Sequence, residues 1–149
     1  MNMRAIRIGV AAALAGSLLA LTSSAFAADQ VKYRADLKPS SEIPAIVDSK
    51  GSGTLEATYD PITKKLTYIL AWRDLTGPAT AAHFHGPADA KTNAGPAVPI
   101  NVTIGNPVKG AADLTDAQAA DLAAGKWYVN VHTEAHKGGE IRGQVMKTN

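Results

Sequence analysis

Trp127-Tyr128-Val129-Asn130-Val131-His132-Thr133 runs through a Glu134–Gly139 connection into Glu140-Ile141-Arg142-Gly143-Gln144-Val145. Successive side chains of a strand point to opposite faces. Trp127, Val129 and Val131 therefore share an apolar face, while Tyr128, Asn130 and His132 share a polar one. Ile141, Gly143 and Val145 divide in the same way from Glu140, Arg142 and Gln144. Lys137-Gly138-Gly139 supplies the glycines that a chain reversal needs where φ turns positive. The stretch reads as two strands and a loop, each strand with one side for a core and one side free for chemistry.

The same period of two recurs upstream. Val31, Tyr33, Ala35 and Leu37 alternate with Lys32, Arg34, Asp36 and Lys38, and Pro39 stops the run. Residues 40–53 read as a loop, with a short extended piece over 43–47. Leu55, Ala57 and Tyr59, a turn opened by Asp60-Pro61, and Leu66, Tyr68, Leu70 and Trp72 predict a hairpin. After Thr76-Gly77-Pro78, Ala82 and Phe84 alternate with His83 and His85, and Gly86-Pro87 ends that strand. Val98, Ile100, Val102 and Ile104 predict a further strand. The period then changes: Thr115-Asp116-Ala117-Gln118 forms a capping box, and the Ala-rich run to Ala124 before Gly125 predicts a helix of two or three turns. About seven short strands and one short helix make an all-β antiparallel sandwich or barrel. Both tryptophans are expected in its core.

The opening of the chain reads as a targeting segment. Arg4 and Arg7 precede an apolar run from Ile8 to Leu21, and Ala25-Phe26-Ala27 places small residues two apart. This predicts a signal peptide over residues 1–27 and a domain over 28–149. The apolar run is short for a bilayer span of about 20 residues, so no membrane anchor is expected after cleavage. Arg4 and Arg7 leave with the leader, and thirteen cations then face thirteen anions. A neutral domain has no global field to gather nucleic acid or an anionic membrane. The sequence has no cysteine, which removes both a lipid-anchor site and a disulfide framework.

His83 and His85 project from one strand face with their bases roughly 6 to 7 Å apart, close enough to converge on one cation. His132, on the polar face of another strand, is the natural third ligand, and three imidazoles with an open position suit zinc or copper. The competing reading makes these histidines hydrogen-bonded partners, with His132 bound to a backbone carbonyl or to Glu140. His136, in the glycine loop, is either exposed or a fourth donor from the side. Glu140 and Arg142 either close the sheet edge as an ion pair or, with Arg142 free, grip an anionic group. No serine or cysteine nucleophile with its base is present.

Two blocks, Ala-His-Phe-His-Gly-Pro-Ala over 82–88 and Tyr-Val-Asn-Val-His-Thr over 128–133 followed by Gly-Gly-Glu-Ile-Arg-Gly-Gln over 138–144, resemble the CHRD family. That domain is named after the animal protein chordin and is also found in secreted bacterial proteins. The resemblance implies an immunoglobulin-like or superoxide-dismutase-like sandwich and extracytoplasmic interaction in place of catalysis. Members usually carry Asn-Pro where this chain has His136-Lys137, so the family pattern does not cover His136. His-x-His is also similar to part of the copper site of copper/zinc superoxide dismutases. That enzyme needs a second metal site with an acidic ligand and usually a disulfide, for which four histidines and no cysteine do not suffice. The expectation is an exported, periplasmic or extracellular, non-enzymatic binding module for an unknown protein or small ligand, with Glu140 and Arg142 in the binding face. The alternative is a copper or zinc protein using His83, His85 and His132.

Overall fold

The computed structural model describes residues 29–148, so the leader expected over 1–27 lies outside the described residues. Among the described residues nine strands and one helix follow in order: β1 (Val31–Leu37), β2 (Ser52–Asp60), β3 (Lys65–Arg73), β4 (Ala79–His85), β5 (Pro96–Ile100), β6 (Val108–Asp113), α1 (Asp116–Ala123), β7 (Tyr128–Thr133), β8 (Ile141–Gln144) and β9 (Met146–Lys147). They form two antiparallel sheets, one ordered β6-β3-β2-β1-β9 and the other β5-β4-β7-β8. The molecule is an all-β sandwich with one short helix, as the alternation predicts.

Burial explains why these strands pair face to face. Tyr33, Ala35 and Leu37 of β1, Leu55 and Ala57 of β2, and Leu66, Tyr68 and Leu70 of β3 turn inward from the five-stranded sheet. Ala82, Phe84, Val98, Ile100, Val129, Val131 and Ile141 meet them from the other sheet. Phe84 sits at the centre, edge-on to Tyr68 with centroids 5.2 Å apart and tilted against Trp127 at 5.7 Å. Each fully buried Leu, Ile, Val or Phe among them contributes about 1.5–3 kcal/mol by leaving water. The β2–β3 turn closes where Asp60 Oδ1 accepts hydrogen bonds from the Ile62 and Thr63 amides. Helix α1 carries the expected capping box: Thr115 Oγ1 accepts from the Gln118 amide while the Gln118 side chain accepts from the Thr115 amide.

Three expectations are corrected. Val102–Ile104 is a 3-10 turn and not a strand. Asn101 Oδ1 accepts from both the amide and the hydroxyl of Thr103, a local bond that competes with the ladder. The missing strand lies downstream at β6, whose Gly110 packs directly against the Tyr68 ring, where a β-carbon would collide. No strand forms over residues 43–47, and Val47 is fully in solvent. Trp127 is buried as expected, whereas Trp72 is only partly covered at the margin of the core.

The four-stranded sheet departs from the simple inside–outside division. On its outer face Tyr128, Asn130 and Arg142 are also buried, at 3%, 2% and 1% exposure. The segment between β4 and β5 folds back over them. Arg142 donates to the carbonyls of Asp89 and Thr92 and to Asn93 Oδ1. Gln144 Nε2 donates to the Ala88 carbonyl, and the Tyr128 hydroxyl donates to the Ala94 carbonyl. A second, polar layer thus lies outside the sandwich, roofed on one side and open at the end where His83 and His132 stand.

Candidate metal centre

Cross-strand register assembles the site. His83 lies opposite Asn130, His85 opposite Tyr128, and Ala81 opposite His132. The methyl of Ala81 leaves space across from the His132 ring, which leans toward His83. His83 Nδ1 and His132 Nε2 are 3.2 Å apart. One ligand nitrogen from each of His83, His85 and His132 lies within 4.8 Å of the other two. Three donors bound at about 2.1 Å to a tetrahedral ion stand about 3.4 Å apart. The first pair is already near that spacing.

Two of the three rings are held from behind. His132 Nδ1 donates to the Lys137 carbonyl at 2.9 Å, and His85 Nδ1 donates to the Ala94 carbonyl at 2.9 Å. A carbonyl only accepts, so each Nδ1 carries a hydrogen and each Nε2 is the ring nitrogen left to face the cluster. Fixing a ligand's tautomer through its other nitrogen is the usual support of metal-bound histidine. His85 is further clamped by Tyr128, stacked on it with centroids 4.8 Å apart and planes within 2°, and the Arg142 guanidinium lies 3.4 Å from the other side of that tyrosine ring.

Electrostatics favour the metal-competent form. Burial, followed by the neighbouring imidazoles of His132 and His85, pushes the His83 pKa below its ordinary value. Burial also lowers His85, outweighing the bonds to Ala94 and Asn130 that favour its charged form. Both rings are therefore neutral near pH 7; His83 Nδ1 donates to His132 Nε2 in the metal-free protein, and a metal bound there takes the place of that hydrogen.

The remaining sequence candidates lie elsewhere. His136 is outside the triad; its Nε2 is 3.5 Å from Asp48 Oδ1, so it is neither an exposed residue nor a fourth donor to this cluster. Among the described residues Glu140 and Arg142 form no ion pair with each other or with any other side chain. Glu140 is fully buried and accepts from the Ser49 hydroxyl, the Thr76 amide and hydroxyl, and the Thr133 hydroxyl, at 2.6 to 2.8 Å. Burial raises its carboxyl pKa, but those hydrogen bonds outweigh it and hold the group below the ordinary carboxylate range. The Arg142 guanidinium is committed to the roofing loop and Tyr128. The two residues hold loops on either side of the histidines.

Two residues beside the triad escape a sequence reading. Asn130 Oδ1 lies 3.0 Å from His85 Nε2. The strand parity puts Asn130 on the histidine face, the only signal that points to it. Behind it stands Glu42, 7% exposed, its Oε1 lacking a well-formed hydrogen bond. Burial drives the Glu42 carboxyl up to about 7, with Arg142 and Asn130 opposing only in part. Nothing in the loop sequence around Glu42 announces this contact.

No characterised protein and no solved structure matches the chain. The family model for the CHRD domain matches residues 33–145. That match takes in every strand carrying the histidine cluster and most of the chain, and the protein therefore belongs to the CHRD family.

Proposed function

We propose that the protein is an exported CHRD-type binding module whose ligand is a zinc or copper ion held by His83, His85 and His132. Export rests on the leader-like opening of the sequence. The observation that carries the metal reading is the convergence of three imidazole nitrogens within 4.8 Å, two of the rings having their other nitrogen tied to a backbone carbonyl. A surface that only docks a protein has no need to bring three imidazole nitrogens to one point. Late first-row divalent ions suit imidazole donors, with copper(II) bound more tightly than zinc in the usual order. Glu140 and Arg142 serve binding indirectly, by fixing the loops that carry the Lys137 and Ala94 carbonyls. The site is for capture and holding of the ion, and no catalytic apparatus is assigned to it.

Isothermal titration of the purified chain with zinc chloride and copper(II) chloride tests this. Wild type binds one ion per chain at micromolar or tighter affinity, and a His83→Ala plus His85→Ala variant does not. Absence of binding heat from the folded wild-type protein overturns the proposal.

A further inference from the structure

The contact between His85 and Asn130 is unusual for a pair of neutral groups. The hydrogen of the His85 ring is on Nδ1, where the Ala94 carbonyl accepts it, so Nε2 is a lone pair. The atom 3.0 Å from Nε2 is an amide oxygen, which is also an acceptor. The amide is held in that orientation from its other end. Asn130 Nδ2 points toward the Gly138 carbonyl at 3.5 Å and toward the Glu42 carboxyl, each of which offers a carbonyl oxygen as acceptor. Gly139, at φ +127°, lets the backbone pass so closely that any β-carbon there would collide with Glu42 Oε1 and Asn130 Nδ2. The oxygen therefore faces the histidines because the nitrogen is claimed behind it.

Two acceptors at hydrogen-bond distance repel unless a cation is shared between them. A proton on Nε2 supplies one, at the cost of placing an imidazolium beside two further imidazoles. A metal ion satisfies this pair and takes the place of the hydrogen that His83 Nδ1 donates to His132 Nε2. Two neighbouring ligands of an ion bound at about 2.0–2.1 Å lie about 3.0–3.4 Å apart, the spacing of both pairs. Register supports the same geometry, since Asn130 lies opposite His83 and on the same strand face as His132.

We propose that Asn130 Oδ1 is the fourth ligand, completing a site of three imidazole nitrogens and one amide oxygen that prefers zinc and copper(II) to copper(I). This inference rests on the metal reading above. The preference follows from softness: a carbonyl oxygen is a hard donor, suited to divalent ions and of little use to copper(I), which three imidazoles alone can hold.

The test compares wild type with Asn130→Leu, which keeps the volume and removes the oxygen. Zinc chloride and copper(I) buffered by a chromophoric chelator are the probes. Zinc affinity falls about 10- to 100-fold in the variant, the range set by loss of a site-supporting residue, while copper(I) affinity stays within about threefold. In parallel, the Asn130 side-chain Cγ resonance of the labelled wild-type protein shifts downfield on zinc loading, a readout that does not depend on the variant folding. An unmoved Cγ, or unchanged zinc affinity in a folded Asn130→Leu protein, overturns the assignment and leaves the three-histidine site standing. A wild-type protein that binds neither ion refutes the metal reading itself.

Discussion

Replacing Glu42 with glutamine should stabilise the protein in alkaline solution and leave it nearly unchanged in acid. Burial raises the Glu42 carboxyl from 4.5 to about 7. At about 1.4 kcal/mol per pH unit, ionising it inside the fold costs about 3 kcal/mol relative to the unfolded chain. The sign follows from proton linkage: the folded state holds this proton more tightly, so the stability it confers is complete below pH 4.5. It is lost as pH rises to about 7 and stays lost above that. A glutamine side chain in this place imitates the protonated acid at every pH. In metal-free protein, denaturant unfolding at about pH 4 should give equal stabilities for wild type and Glu42→Gln. At about pH 8 the variant should lead by about 3 kcal/mol, or roughly 10 °C in melting temperature for a domain of this size. A difference that does not vary with pH, or that grows toward acid, would refute the account of Glu42 as a carboxyl that burial keeps protonated.

Phe84→Ala should cost about 3–5 kcal/mol in denaturant unfolding, since it removes the ring between Tyr68 and Trp127 at the centre of the sandwich; a loss under about 1 kcal/mol would contradict that placement. Glu140→Gln should destabilise by about 3 kcal/mol at pH 7, because four donors lose a charged acceptor. That deficit should shrink as pH falls through the depressed carboxyl pKa, where wild type loses the same charge; urea melts at about pH 3 and pH 7 measure it. Zinc at a hundredfold excess over its dissociation constant should raise unfolding free energy by about 2.7 kcal/mol, and thermal melts should show no shift in the His83→Ala plus His85→Ala protein.

Most of the fold is legible because most strands have one wet and one dry side. Leu66, Tyr68 and Leu70 or Tyr33, Ala35 and Leu37 could not be sorted otherwise. Strand β6 escapes because its inward positions after Val108 hold Gly110 and Ala112, which show no hydropathic rhythm, the glycine being there because only it fits under Tyr68. Val102 and Ile104 mislead in the opposite direction: they alternate well, but the Asn101 side chain bonds the backbone first. The triad follows from parity alone, since His83, His85 and His132 each fall on the face opposite the core residues of their strands. Parity cannot show that the polar face is itself roofed. For that reason Arg142 and Glu140 read as exposed charges able to pair, when each is sealed among carbonyls or hydroxyls brought by distant loops. Glu42 is invisible for the same reason, its environment being made by segments far from it in sequence.

His83 and His132 stand 49 positions apart and meet only through the ladder between β4 and β7. Before that ladder forms, the chain offers an ion a His-x-His pair and a solitary imidazole joined by a long slack tether, whose closure carries an entropic penalty. High-affinity capture is consequently a property of the finished sheet, and an ion favours completed molecules over nascent or truncated ones. A chain cut between β4 and β7 would keep His83 and His85 but forfeit His132 and the grip, so occupancy by metal would report that folding has run to its end.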